Sequence, residues 1–115
     1  MINWNPFNHP SQIEEIIELS KDKACVIFKH SSRCPISSMA KFRLEGSWDF
    51  VEDEVHSFFI DVITDRPISQ LIAQTFGIPH ESPQVLLIKD GQCIHHSSHL
   101  DITVRELRGV FGNSH

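Results

Sequence analysis

The sequence predicts an α/β domain: a central mixed four-stranded sheet, with room for a fifth short strand at the N-terminus, flanked by about four helices. Three observations carry this. Two apolar runs, residues 24–29 and 57–63, are separated by enough chain for a helical crossover, which makes them parallel neighbours in a right-handed βαβ unit. A third run, 84–89, meets Asp90-Gly91 at once, a strong hairpin signal, and a fourth, 92–97, returns antiparallel. The intervening stretches carry apolar residues at helical spacing between capping and breaking residues.

Taken in order, the opening to His9 is irregular or holds a short edge strand. Ser11-Gln12-Ile13-Glu14 reads as a capping box. Ile13, Ile16 and Ile17 then form an apolar face, Glu14, Glu15 and Glu18 a wet one, and Lys21-Asp22-Lys23 ends the helix. The strand at 24–29 is continuously apolar until its last residue and reads as buried. The next helix starts at Pro35 and runs to about Glu45, with Ile36, Met39, Ala40 and Leu44 on one face and Gly46 as the breaker. Trp48, Phe50 and Val51 are expected to pack where the chain turns. Asp65-Arg66-Pro67 opens a helix whose Ile68, Leu71, Ile72 and Phe76 share a face, and Gly77 suits the left-handed residue after it. Thr103-Val104-Arg105-Glu106 is a second capping box, placing Val104, Leu107 and Phe111 inward. The order is α-β-α-β-α-β-β-α; an α+β sandwich of other connectivity is the alternative.

A chain of 115 residues suits one domain, 1–115, around one core. Its 40% hydrophobic and 22% charged residues are those of a globular protein. With a net charge of −5 and no run of Lys or Arg, it lacks a phosphate-binding footprint, so nucleic acid is not an expected partner. No apolar run approaches the roughly 20 residues that span a bilayer. The N-terminus has neither a basic nor an apolar signal region, and the cytoplasm is the expected compartment. Three cysteines, Cys25, Cys34 and Cys93, are an odd number, which argues against a disulfide framework and for a reducing environment.

Cys34 is the chemically conspicuous residue. It sits where a strand gives way to a helix, with Pro35 in the first helical turn and Arg33 beside it. A helix N-terminus and a neighbouring cation favour the thiolate, which is the nucleophile. Cys34-Pro35-Ile36-Ser37 has the spacing of a Cys-x-x-Cys site with Ser in the second position. A hydroxyl forms no disulfide, so the expected chemistry is monothiol: Cys34 attacks a disulfide, becomes a mixed disulfide, and waits for another thiol.

The segment Lys29-His30-Ser31-Ser32-Arg33-Cys34-Pro35-Ile36-Ser37 closely resembles the signature of the YtxJ-type monothiol bacilliredoxins, a thioredoxin-like family; His80-Glu81-Ser82-Pro83-Gln84 and Ser98-His99 match as well. The likeness runs from about Trp4 to about Phe111. It implies a thioredoxin-like fold, no resident cofactor or metal, and bacillithiol as co-substrate, with Cys34 attacking bacillithiolated client proteins. It also implies a cis peptide at Pro83, with Ser82 offering backbone groups to an extended substrate. Arg33, Pro35, Ser37, Ser82, Pro83 and His99 form the expected substrate-binding set around Cys34. Arg33 or Lys29 would pair with the carboxylate of bacillithiol. The chain departs from the dithiol thioredoxins in two places. Phe28 stands where they carry a buried acid, and Arg33 where they carry an aromatic residue.

Cys93 and Cys25 lie on strand ends far from Cys34 and read as core cysteines. His95, His96 and His99 with Cys93 suggest metal ligands, but neighbouring strand residues point to opposite faces and the spacing fits no standard zinc motif. His99 ends the returning strand and is read either as a substrate-positioning residue or as a structural one. The function of a second class consistent with this sequence is a non-catalytic module that binds an iron–sulfur cluster or metal through Cys34 and an external thiol.

Overall fold

The computed structural model describes residues 2–51 and 54–113, with the side chains of 111–113 left out. Its elements are β1 (Asn5–Pro6), α1 (Gln12–Leu19), β2 (Cys25–His30), α2 (Pro35–Ser47), β3 (His56–Asp61), α3 (Arg66–Phe76), β4 (Gln84–Lys89), β5 (Gln92–Ser98), a 3-10 turn (His99–Asp101) and α4 (Val104–Asn113). The five strands form one mixed sheet in the order β1-β3-β2-β4-β5. β2 is the central strand, parallel to β3 and antiparallel to β4, and all six of its residues are buried. The expected four strands and the short fifth are therefore present, and the fifth pairs at the edge with Phe58 and Phe59.

Helices cover both faces. Ala40 and Leu44 of α2 and Val104 and Leu107 of α4 pack on Val26, Phe28, Val85 and Leu87. Ile13 and Ile16 of α1 and Ile68 and Ile72 of α3 pack on Cys25, Ile27, Leu86 and Ile88. The alternation along β2 thus sends Phe28 and His30 to one layer and Lys29 to the other. Phe28, in the position of the missing acid, is fully buried and stacks on Phe59 with ring centroids 5.9 Å apart.

Turn chemistry follows the residues. Asp90 and Gly91 take φ of 53° and 76°, the pair of left-handed residues a tight hairpin needs, and Gly77 closes α3 at φ 69°. Thr103 Oγ1 accepts the Glu106 N–H at 3.1 Å, as a helix-capping hydroxyl does.

Several local expectations need correction. Ser11 makes no capping bond; its hydroxyl goes to His9 Nδ1, and Gln12 Oε1 accepts the N–H groups of Asn8 and His9 instead. α2 does not stop at Gly46. Glu45 is held by Trp4 Nε1 at 2.9 Å, and Trp48 packs on Trp4 and Phe50, so the last turn is fixed at a small glycine cost. The inward face of α2 is Ser37, Ala40 and Leu44, whereas Ile36 and Met39 are 45% and 53% exposed. Bonds to the Ser37 hydroxyl set the helix about one residue away from the phase that apolar spacing alone suggests. Val51 is exposed, and β3 ends at Asp61, beyond which Asp61 Oδ1 caps the Ile63 N–H. The Phe111 side chain lies outside the described residues.

The aromatic layer beneath α2 gives a direct expectation. Phe28→Ala should lower unfolding free energy by about 3–5 kcal/mol, the usual cost of an emptied aromatic core site. Denaturant titration of the two proteins measures it.

Candidate functional site

The site begins where β2 ends. The chain leaves His30, turns through a Cys34 N–H to Ser31 C=O bond of 3.1 Å, and enters α2. Cys34 is extended (φ −107°, ψ 116°), Pro35 occupies the first helical turn, and the first helical bond runs from Ser38 N–H to Cys34 C=O. Cys34 is therefore the N-cap residue, half-buried and free. The Ser37 hydroxyl fixes this turn from inside: it accepts the Ser31 N–H at 2.9 Å and shares a 2.7 Å hydrogen bond with His30 Nδ1. Burial pushes the His30 imidazole below its ordinary value, with Asp61 opposing.

The opposite wall comes from the start of β4. The Ser82–Pro83 peptide is cis. The Pro83 carbonyl accepts the His99 N–H at 3.0 Å, which ties the end of β5 to the same corner. His99 itself is exposed and left-handed (φ 56°), and the Ser98 hydroxyl donates to Glu81. Between the walls lies a groove of about 400 Å³ lined by Ser31, Arg33, Cys34, Arg66, His80 and Ser82 together with the apolar Val62 and Ile63.

Of the residues expected from sequence, the groove brings together Cys34, Arg33 and Ser82. Pro35 is exposed at the head of α2, while Ser37 and Pro83 are buried behind the walls. Lys29 is displaced furthest from expectation. Offered as a surface cation for a substrate acid, it is fully buried on the α3 side of the sheet, because strand alternation turns it away from His30. Its Nζ donates to the Ser69 carbonyl at 3.1 Å and lies 3.3 Å from His80 Nδ1. No carboxylate pairs with it among the described residues. Burial accordingly pushes the ammonium down to about 8.

Sequence reasoning did not single out Arg66 and His80 as site residues. In the sequence Arg66 reads only as the start of a helix. His80 lies inside the His80-Glu81-Ser82-Pro83-Gln84 match, which is the one signal in the sequence that points to it. His80 Nδ1 is also 3.1 Å from Ser69 Oγ. Burial lowers the His80 imidazole, and the cations of Lys29 and Arg66 lower it further against Glu81.

The remaining thiols lie at the other end of the sheet. Ile88 pairs with Cys25 on one side and Cys93 on the other. Cys25 opens β2, so about 17 Å of strand separates it from the end that carries Cys34. Burial pushes the Cys25 thiol up to about 12 and raises that of Cys93, whose Sγ bonds to the His95 carbonyl at 3.2 Å. All three cysteines are free; Cys25 is buried as a core cysteine should be, but Cys93, expected to be buried too, is only half-buried because β5 is the edge strand. His95 pairs with Leu87 and reaches α4, its Nε2 3.1 Å from Glu106 Oε1, whereas His96 pairs with Leu86 and faces the other way. Among the described residues no helix is long and apolar enough to cross a membrane.

Comparison with known proteins agrees with this geometry. A family model described as monothiol bacilliredoxin BrxC matches residues 5–107. A solved protein named for its thioredoxin fold and its suggested oxidoreductase role is 28% identical, with a TM-score of 0.76 over 91% of this chain and 90% of its own. Thioredoxin from Trypanosoma brucei brucei superposes with a TM-score of 0.75 at 14% identity, covering 97% of this chain and 90% of that one. Thioredoxin from Malassezia sympodialis gives 0.73 at 20% identity, covering 96% and 90%. The fold is the thioredoxin fold.

The buried ammonium makes stability depend on pH in a known direction. Folding lowers the Lys29 value from 10.5 to about 8, so the unfolded chain binds the extra proton between those limits. Relative to Lys29→Met, the wild type should gain stability as pH rises from about 8 to about 10.5, by about 3 kcal/mol at most. Denaturant unfolding of both proteins across that window checks the sign.

Proposed function

Since the chain belongs to the monothiol bacilliredoxin family, a family of thiol redox proteins, we propose that it is a monothiol thiol–disulfide oxidoreductase acting on bacillithiolated proteins, with Cys34 as nucleophile. The observation that carries this reading is the position of Cys34: a free thiol at a helix N-terminus, on a groove with Arg33 and Arg66, with a hydroxyl at the second position of the motif. Cys34 attacks the bacillithiol sulfur of a client mixed disulfide. The client thiol leaves, and Cys34 carries bacillithiol as a new mixed disulfide. Ser37 cannot resolve it, since its oxygen forms no disulfide and is already bonded to Ser31 and His30. A second thiol molecule then attacks and returns Cys34 to its free state.

The groove suits such a ligand by charge. Arg33 and Arg66 are exposed guanidinium groups that can take a carboxylate through paired N–H donors. Ser82 lies on the facing wall, and the chain entering β4 presents backbone to an extended segment in β fashion. Phe28 in place of a buried acid fits the same chemistry, because no second cysteine needs deprotonation.

Incubation with bacillithiol disulfide should add one bacillithiol to the wild type, read as a mass increase in the intact protein. Cys34→Ser should abolish the adduct, whereas Cys25→Ser and Cys93→Ser should keep it. A Cys34–Cys93 bridge found by peptide mapping of an oxidised sample would replace the monothiol mechanism with a dithiol one.

A further inference from the structure

We propose that Lys29 and His80 form a proton reservoir for thiol exchange at Cys34, in which His80 hands a proton to the departing thiolate and Lys29 refills it from below. The inference rests on the thiol-exchange reading above but not on bacillithiol. Its basis is a contact with no structural rationale as an ion pair. Lys29 is fully buried, yet its Nζ meets a carbonyl and an imidazole nitrogen rather than an acid.

The geometry fixes the protons. An ammonium can only donate, so His80 Nδ1, 3.3 Å away, must present its lone pair. The proton of neutral His80 then sits on Nε2. Nδ1 is turned to Lys29 and Ser69, while His80 is exposed and lines the groove that contains Cys34. The edge left for a reacting thiol is therefore Nε2–H. The Ser69 hydroxyl gives or takes a hydrogen bond and accommodates either tautomer.

The charged surroundings support transfer. His80 faces Lys29 from β2 and Arg66 from α3, with Glu81 next in the chain and Arg33 and Cys34 across the groove. The strand neighbours of Lys29 in the sheet, Ile60 and Gln84, are uncharged. Burial brings the lysine down to about 8, so it gives up a proton more readily than an exposed ammonium does.

The steps balance. Cys34 sulfur attacks the disulfide, one S–S bond forms, another breaks, and a thiolate departs. It takes the Nε2 proton while Lys29 Nζ gives a proton to Nδ1, leaving a neutral amine and a neutral imidazole in its other tautomer. In the second half the attacking thiol gives its proton to Nε2, Nδ1 returns one to Lys29, and Cys34 departs as thiolate. His80 is the catalytic partner here; Lys29 acts only through it.

The test compares two leaving groups. An alkyl thiolate from bis(2-hydroxyethyl) disulfide needs a proton, whereas the stabilised aryl thiolate of a nitrobenzoate disulfide leaves without one. At neutral pH, Lys29→Met and His80→Gln should react with the alkyl disulfide at least about tenfold more slowly than wild type. With the aryl disulfide they should be little changed. Lys29→Arg keeps the charge but cannot release a proton, so it should also be slow with the alkyl disulfide only. Equal slowing with both disulfides would mean a structural role, and no slowing with either, or full activity in Lys29→Arg, would equally overturn the reservoir. If Lys29→Met does not fold, as read by far-ultraviolet circular dichroism, His80→Gln at an exposed position decides alone. A wild type that reacts with the hydroxyethyl disulfide but not with bacillithiol disulfide would defeat the substrate assignment and leave this inference standing.

Discussion

The Ser37 hydroxyl is the constraint on which the reactive corner depends. One oxygen holds the N–H that follows β2 and the imidazole that ends it. Those two bonds set where the chain can turn, and so where Cys34 caps α2. They also rotate α2, sending Ala40 and Leu44 into the aromatic layer and leaving Ile36 and Met39 in solvent. A polar group buried this deeply is costly unless bonded, which is why its partners and the helix phase come as one unit. The residue that replaces a resolving thiol thus serves the fold as well as the chemistry.

Much of the architecture was legible in the residues. The strands were marked by apolar runs, and the hairpin and the α3 terminus by residues that tolerate positive φ. Where reading failed, a tertiary contact outweighed a local rule. Gly46 stayed helical because Trp4 and Trp48 hold the turn around it, and Ser11 lost its capping role to Gln12. The phase of α2 could not be read from apolar spacing, since a serine rather than a leucine points inward at its first turn.

The site was legible as a nucleophile and only partly as an enclosure. Cys34 and Arg33 stand in one sequence segment whose strand-to-helix punctuation places them. Lys29 stands in the same segment, but a buried lysine without an acid contradicts what composition alone leads one to expect of that residue. Arg66 and His80 come from distant parts of the chain. They meet Cys34 only because β3 lies parallel to β2 and α3 packs on the same layer as Lys29. The groove is thus a product of topology, and its two faces divide the labour. The α2 side orients the sulfur, and the α3 side gathers charge.

The placement of Cys25 and Cys93 has a practical side. Burial raises both thiols at the end of the sheet remote from α2, with Cys25 fully buried and Cys93 half-buried. A maleimide dye or nitroxide spin label applied to the native protein is kept from Cys25, while Cys34 and Cys93 are half-buried addresses toward opposite ends of the sheet. Cys93→Ser alone therefore leaves a single reporter address at the reactive corner, and spectroscopic distance or anisotropy measurements can follow partner docking with Cys25 left in place.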